Sequence, residues 1–134
     1  MSALATSVLD ASALVALIEN EPGADRVEDA ITQGALVSSV NWAEVLAHFV
    51  ERSSDPHEAA AMALPGKATG LELIAFDDEQ ARESARLVRR TQSLGLSLAD
   101  RAAIALGQLR GLRVLTTDRA WRSLRLPVKI EVIR

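Results

Sequence analysis

A chain of 134 residues, 49% of them apolar, is long enough to bury a core and too apolar to be disordered, and it is expected to form one domain over residues 1–134. It has no cysteine, which excludes disulfides, thiolate metal sites and cysteine nucleophiles and fits a cytoplasmic protein. Its net charge of −3 is uneven: residues 1–100 carry 7 basic and 16 acidic side chains, whereas residues 101–134 carry 8 basic and 2 acidic. An acidic whole argues against a constitutive DNA coat, and a basic end rich in arginine suits a phosphate contact or reflects bias in the coding DNA. The N-terminus has no basic region ahead of an apolar stretch, and the longest strongly apolar run, Ala11 to Ile18, is far short of the roughly 20 residues that span a bilayer.

In chain order, Thr6 to Leu9 reads as a buried strand and Ser12 to Asn20 as a buried helix, broken by Pro22 and Gly23. Ala24 to Thr32 is a second helix, closed by Gly34, and Ala35 to Val40 a second strand. Asn41 to Arg52 is a third helix with Trp42, Val45, Leu46, Phe49 and Val50 on a broad apolar face. Asp55 and Pro56 open a further helix that ends near Pro65 and Gly66. Leu71 to Phe76 is a third strand, and Asp77 to Ser93 a long helix with Ala81, Ala85, Leu87 and Val88 facing in. Ser97 to Leu109 follows, with Leu98, Ala102, Ile104, Ala105 and Leu109 as candidates for burial and Gly111 at its C-cap. Leu112 to Thr116 is a fourth strand, Arg119 to Leu124 a short helix, and Val128 to Ile133 a fifth strand whose direction the pattern leaves open. Alternating strands and helices predict an α/β fold: a three-layer, mainly parallel five-stranded sheet flanked by helices.

Four acids, Asp10, Glu44, Asp100 and Asp118, stand where strand or loop passes into helix. In a parallel sheet the C-terminal strand ends share one edge, so four distant carboxylates can meet there. Each also has a structural reading. Asp10 and Asp118 fit N-caps, and the spacings Asn41 to Glu44 and Ser97 to Asp100 fit capping boxes. Asp77 and Asp78 also follow a strand and read as helix-start charges. A pocket of carboxylates without His or Cys wants a hard divalent cation, Mg²⁺ or Mn²⁺. Such an ion can orient a phosphodiester and activate water.

Ser12 and Thr116 are candidate supports for these acids, while Ser39 and Thr117 read as turn residues. Arg101 and Arg119, with Arg122 beside them, are candidate phosphate contacts. Arg82, Arg86, Arg89 and Arg90 form a helical stripe that Glu79 and Glu83 can balance. Trp42 and Trp121 read as packing residues, with base stacking as the second option for Trp121. His48 lies one turn after Glu44, but a solvated face is the simpler reading, and His57 is far in sequence from every candidate pocket acid. No zinc set, nucleophile elbow, P-loop or dinucleotide fingerprint is present.

The segments Val8-Leu9-Asp10-Ala11-Ser12-Ala13-Leu14, Ser39-Val40-Asn41-Trp42-Ala43-Glu44-Val45, Leu96-Ser97-Leu98-Ala99-Asp100-Arg101-Ala102 and Leu115-Thr116-Thr117-Asp118-Arg119-Ala120-Trp121 resemble the motifs of PIN-domain ribonucleases, in order and across essentially the whole chain. The likeness is greatest to VapC-type toxins of bacterial type II toxin–antitoxin pairs. The resemblance implies a Mg²⁺- or Mn²⁺-dependent endoribonuclease. Its catalytic acids would be Asp10, Glu44, Asp100 and Asp118, with Asp10 and Asp100 holding the metal. It also implies a homodimer, an RNA substrate, and a cognate antitoxin whose C-terminal segment lies in the active-site groove. It puts the third strand at the sheet edge.

Two other readings fit the composition. A receiver-like phosphoacceptor domain would use Asp77, Thr116 and Lys129. A non-catalytic binding module would present Leu14, Ile18, Trp42, Leu46 and Phe49 to a protein partner.

Overall fold

The computed structural model describes residues 4–53, 55 and 70–134. Five strands, β1 (Ser7–Leu9), β2 (Ala35–Ser38), β3 (Leu71–Ile74), β4 (Arg113–Thr116) and β5 (Ile130–Val132), form one sheet in the order β3-β2-β1-β4-β5. Every pairing is parallel, including β4 with β5, which fixes the direction of the last strand. The chain winds outward from β1 through β2 to β3, then returns to the other side of β1 for β4 and β5. Strand order therefore reverses between β1 and β4, and a crevice opens beyond their C-terminal ends.

The sheet is covered on both faces, so its strands are apolar without alternation. Successive residues nevertheless serve opposite cores. Leu9, Val37 and Leu115 pack with α1 (Ala11–Ile18), α2 (Ala24–Gln33) and α3 (Ser39–Ser53). Their neighbours Val8, Leu36 and Val114 pack with Leu87 and with Ala103 to Leu106 on the other face. That second layer holds α4 (Asp78–Arg86), α5 (Val88–Thr91) and α6 (Leu98–Arg110). The result is the expected three-layer α/β arrangement. Among the described residues, no helix is long and apolar enough to cross a membrane.

Two glycines set α6 against the sheet. A Cβ on Gly107 would overlap the Val114 side chain, so its absence lets the helix lie close on β4. Gly111 ends the helix at φ +67, and its N–H bonds back to the Gln108 carbonyl oxygen.

Several elements differ from the sequence reading. The long helix over Asp77 to Ser93 is broken at Leu87, whose N–H bonds to the Ser84 carbonyl oxygen three residues back at 3.2 Å, and the Thr91 hydroxyl donates to the Leu87 carbonyl oxygen at 2.8 Å. Such back-bonding bends helices. The inward stripe is Gln80, Ser84, Leu87 and Thr91, while Ala81 and Ala85 face solvent. Gln80 can be buried because its Nε2 donates to the Ala75 carbonyl oxygen at 2.8 Å. Leu98, in the first turn of α6, is 52% exposed. The segment after β4 is a 3-10 turn, Arg119–Ser123. The helix expected from Asp55 to Gly66, with His57, lies outside the described residues apart from Asp55 itself.

The topology removes the receiver-like reading. β3 is the sheet edge, so Asp77 ends a flank strand and caps α4. Lys129 precedes β5 and lies at the opposite end of the sheet from Thr116. The apolar set offered for a binding module is largely core: Leu14 and Phe49 are buried, and Ile18, Trp42 and Leu46 pack against the same cluster.

Candidate active site

Asp10 ends β1 and caps α1. Its backbone N–H still bonds to the Leu115 carbonyl oxygen of the sheet, and its Oδ1 accepts from the Ala13 N–H at 2.9 Å and the Ser12 hydroxyl at 2.7 Å. Ser12 Oγ also accepts from the Thr117 N–H at 3.0 Å and lies 3.4 Å from Thr116 Oγ1. One hydroxyl thus pins the end of β1 to the end of β4. Thr116 Oγ1 in turn accepts from the Asp118 N–H at 3.1 Å, and Asp118 Oδ1 caps the 3-10 turn by accepting from Ala120 N–H at 2.9 Å. The expected supporting places of Ser12 and Thr116 therefore appear as hydrogen bonds.

The other two acids come from opposite layers. Asp100 completes a capping box at the start of α6, its Oδ2 accepting from the Ser97 N–H at 3.0 Å while Ser97 Oγ accepts from the Asp100 N–H at 3.1 Å. Glu44 is not part of such a box. Helix α3 begins at Ser39, two residues before Asn41, and Ser38 Oγ takes up the Val40 N–H. Asn41 instead points across to α6, where its Nδ2 donates to the Ala99 carbonyl oxygen at 2.9 Å.

These residues meet. Asp10, Ala11, Ser12, Asn41, Glu44, Asp100 and Asp118 line one cavity of ≈ 180 Å³ at the C-terminal edge of the sheet. Asp77 and Asp78 are elsewhere: Asp77 accepts from the Gln80 N–H, and Asp78 pairs with Arg82 at 2.8 Å. Arg101 is outside the cavity wall, partly buried, with its Nε unpartnered. Arg119 is exposed next to Asp118, and its Nε reaches only the backbone oxygen of Arg134, at 3.3 Å. Trp121 is fully buried in the second core, so it stacks no base. His48 faces Glu19 on α1 rather than Glu44, with Nε2 2.9 Å from Oε1. The Arg stripe is partly balanced as expected, through Glu83 to Arg86, but Arg82 takes Asp78 in place of Glu79.

The electrostatics are those of an anion held out of water. Asp10 is 4% exposed, and burial raises its pKa to about 6. The Thr116 and Ser12 hydroxyls and the Ala13 N–H oppose the rise, and the neighbouring Asp100 carboxylate adds to it. Glu44 stands on the open side of the cavity. Partial burial and then Asp100 raise its pKa, against a hydrogen bond from Asn41.

Among the described residues no three such groups stand in a ready-made metal cage. The donor set nonetheless fits a hard cation. It is all oxygen: four carboxylates, two of which (Asp100 and Asp118) each keep one oxygen beyond their caps, and the buried Asn41 Oδ1, which has no partner. Asn41 is the residue that sequence reasoning misses. Its spacing from Glu44 suggests only a cap, and the one further signal is an amide a helical turn before a candidate acid.

The comparisons agree with this geometry. The PIN-domain family profile matches residues 7–126. A DNA-bound VapBC from Salmonella typhimurium superposes with a TM-score of 0.72 at 22% identity, covering 96% of this chain and 98% of that one. VapBC-5 from Mycobacterium tuberculosis, a member of the VapBC family of toxin-antitoxin systems, gives 0.58 at 25% identity, covering 98% and 99%. VapC20 from the same organism, a sarcin-ricin loop cleaving toxin, gives 0.66 at 12% identity, covering 90% and 97%. No curated protein matches the chain. With the profile spanning residues 7–126 of the 134, the chain belongs to the PIN-domain family.

Proposed function

We propose that the protein is a metal-dependent endoribonuclease and the toxin of a toxin–antitoxin pair. The observation that carries the reading is the convergence of Asp10, Glu44, Asp100 and Asp118 on one cavity in which Asp10 is almost wholly desolvated. Family membership and the kinship in fold with VapBC complexes support the nuclease and antitoxin parts. A homodimer held by a cognate antitoxin protein is the assembly that the resemblance implies.

In this reading Asp10 and Asp100 hold Mg²⁺ or Mn²⁺, and Glu44 and Asp118 complete the acidic ring. A divalent cation supplies positive charge against the phosphodiester and lowers the pKa of water. Glu44 or Asp118, both lining the cavity, would accept the proton of the attacking water. Ser12 and the Ala13 N–H hold Asp10 in one rotamer. Asn41 holds α3 to α6 and so fixes Glu44 relative to Asp100.

The test compares RNA cleavage by the wild type and Asp10→Asn, each with Mg²⁺ and with excess EDTA. Cleavage by the wild type with Mg²⁺ alone is expected. Equal cleavage under all four conditions would remove the mechanism.

A further inference from the structure

We infer that Arg119, Arg122, Arg125 and Lys129 form the track along which a single RNA strand leaves the carboxylate cavity. The inference rests on the nuclease reading and adds the surface that holds the substrate.

The track follows from what is buried beneath it. Trp121 is 1% exposed, and Leu124, Leu126, Val128 and Ile130 pack against the same core cluster. With Trp121 and the even-numbered positions 124 to 130 turned in, Arg122, Arg125 and Lys129 are turned out, and all three are exposed, as is Arg119. In a 3-10 helix residues three apart eclipse one another, about 6 Å apart along the axis, so Arg119 and Arg122 stand on one side of their turn. Their turn is capped by Asp118, a wall of the cavity, so the row of cations begins at the rim of the site.

Among the described residues these cations are free of carboxylates, and Arg119 meets only the main-chain oxygen of Arg134. Elsewhere Arg26 and Arg113 share Glu131, Arg82 holds Asp78, Arg86 holds Glu83 and Arg134 meets Glu21, whereas Arg89, Arg90, Arg101 and Arg110 are, like the track, without an ion pair among the described residues. Among the described residues no carboxylate pairs with Arg119, Arg122, Arg125 or Lys129. The remainder of the chain repels a polyanion, since residues 1–100 carry 16 acidic against 7 basic side chains. Three guanidiniums followed by an ammonium suit a phosphate backbone, which arginine engages through paired N–H donors.

The test is equilibrium binding of a fluorescein-labelled single-stranded RNA of mixed sequence, read by anisotropy over a KCl series. The full chain carries Asp10→Asn so that no cleavage intrudes. Adding Arg119→Gln, Arg122→Gln and Arg125→Gln is expected to lower the slope of log K against log salt by about 2, near 0.7 for each phosphate no longer neutralised, and to weaken binding about tenfold or more. A control that removes the same charge at Arg86, Arg89 and Arg90 should leave the slope unchanged. A slope indifferent to the first set, or equally sensitive to both sets, overturns the track. RNA binding indifferent to the first set, with poly-glutamate binding abolished by it, identifies a protein-docking face and also overturns it. Binding and chemistry are separated. A reduced slope beside an inactive Asp10-bearing protein keeps the track and removes the nuclease, and an unchanged slope beside an active one does the reverse.

Discussion

Asn41 Nδ2 donates to the Ala99 carbonyl oxygen at 2.9 Å, across 58 residues of sequence. This bond joins the layer that carries Glu44 to the layer that carries Asp100, one residue beyond Ala99. The acidic ring is therefore held by a buried amide as well as by the sheet.

Replacing that amide should loosen both fold and site. Asn41→Leu removes a buried hydrogen bond, while the Ala99 carbonyl oxygen keeps its intrahelical donor at Ala103, and this should cost about 1 kcal/mol. Urea unfolding should show the loss as a lower midpoint. Asn41→Asp should be as damaging at neutral pH, where the new carboxylate cannot donate. It should recover toward pH 4, where the protonated group can. A flat pH response of Asn41→Asp would count against this role.

Asp10 should make the metal-free protein sensitive to pH. Its folded pKa, about 6, lies above the ordinary 3.8, so the folded state binds more protons than the unfolded one between those values. Stability should fall as pH rises through that window, by an amount on the order of 3 kcal/mol from the width of the shift. Asp10→Asn should remove the fall, being more stable than the wild type above pH 6 in EDTA and close to it near pH 4. Urea midpoints measured across the series decide, and parallel curves for the two proteins would contradict the account.

Ser12 Oγ touches Asp10, the Thr117 N–H and Thr116 Oγ1. Ser12→Ala should cost about 1–2 kcal/mol as these hydrogen bonds disappear. It should also slow RNA cleavage at least tenfold, because Asp10 loses its anchor. Ser12→Thr, which keeps the hydroxyl, should recover much of the rate. Equal rates for wild type and Ser12→Ala would remove the positioning role.

Away from the site, Glu131 accepts from Arg26 at 2.6 and 3.1 Å and from Arg113 at 3.2 Å, joining α2 to β4 and β5. The hydrogen bond from Arg26 is the main cause of its lowered pKa. The stability this brings is present above the ordinary glutamate pKa and is lost as pH falls through the lowered one. The cluster is partly solvated, so Glu131→Gln should cost only about 1 kcal/mol or less at pH 7. The cost should vanish in strong acid, and thermal melts at neutral and acid pH would reveal a cost that persisted.

What the sequence discloses follows the physics of each element. The strands are legible because both sheet faces are covered, which makes runs such as Leu36 and Val37 wholly apolar. The four acids are legible because a parallel sheet sends its strand ends to one edge. The α4 face is not, since apolarity points to Ala81 and Ala85 while the buried stripe uses Ser84 together with Gln80 and Thr91, the last two held by hydrogen bonds that no periodicity records. The role of Asn41 is hidden for a related reason: its partner lies in a different layer, beyond any local spacing rule. The direction of β5 depends on its pairing with β4, through bonds such as Ile133 N–H to the Thr116 carbonyl oxygen at 3.0 Å.

The most direct measurement is calorimetric titration of Mn²⁺ into the wild type, Asp10→Asn and Asp100→Asn at neutral pH. Saturable binding by the wild type, abolished in both variants while each keeps its fold by circular dichroism, is the predicted result. Binding of equal affinity to all three proteins, or none to the wild type, would contradict it.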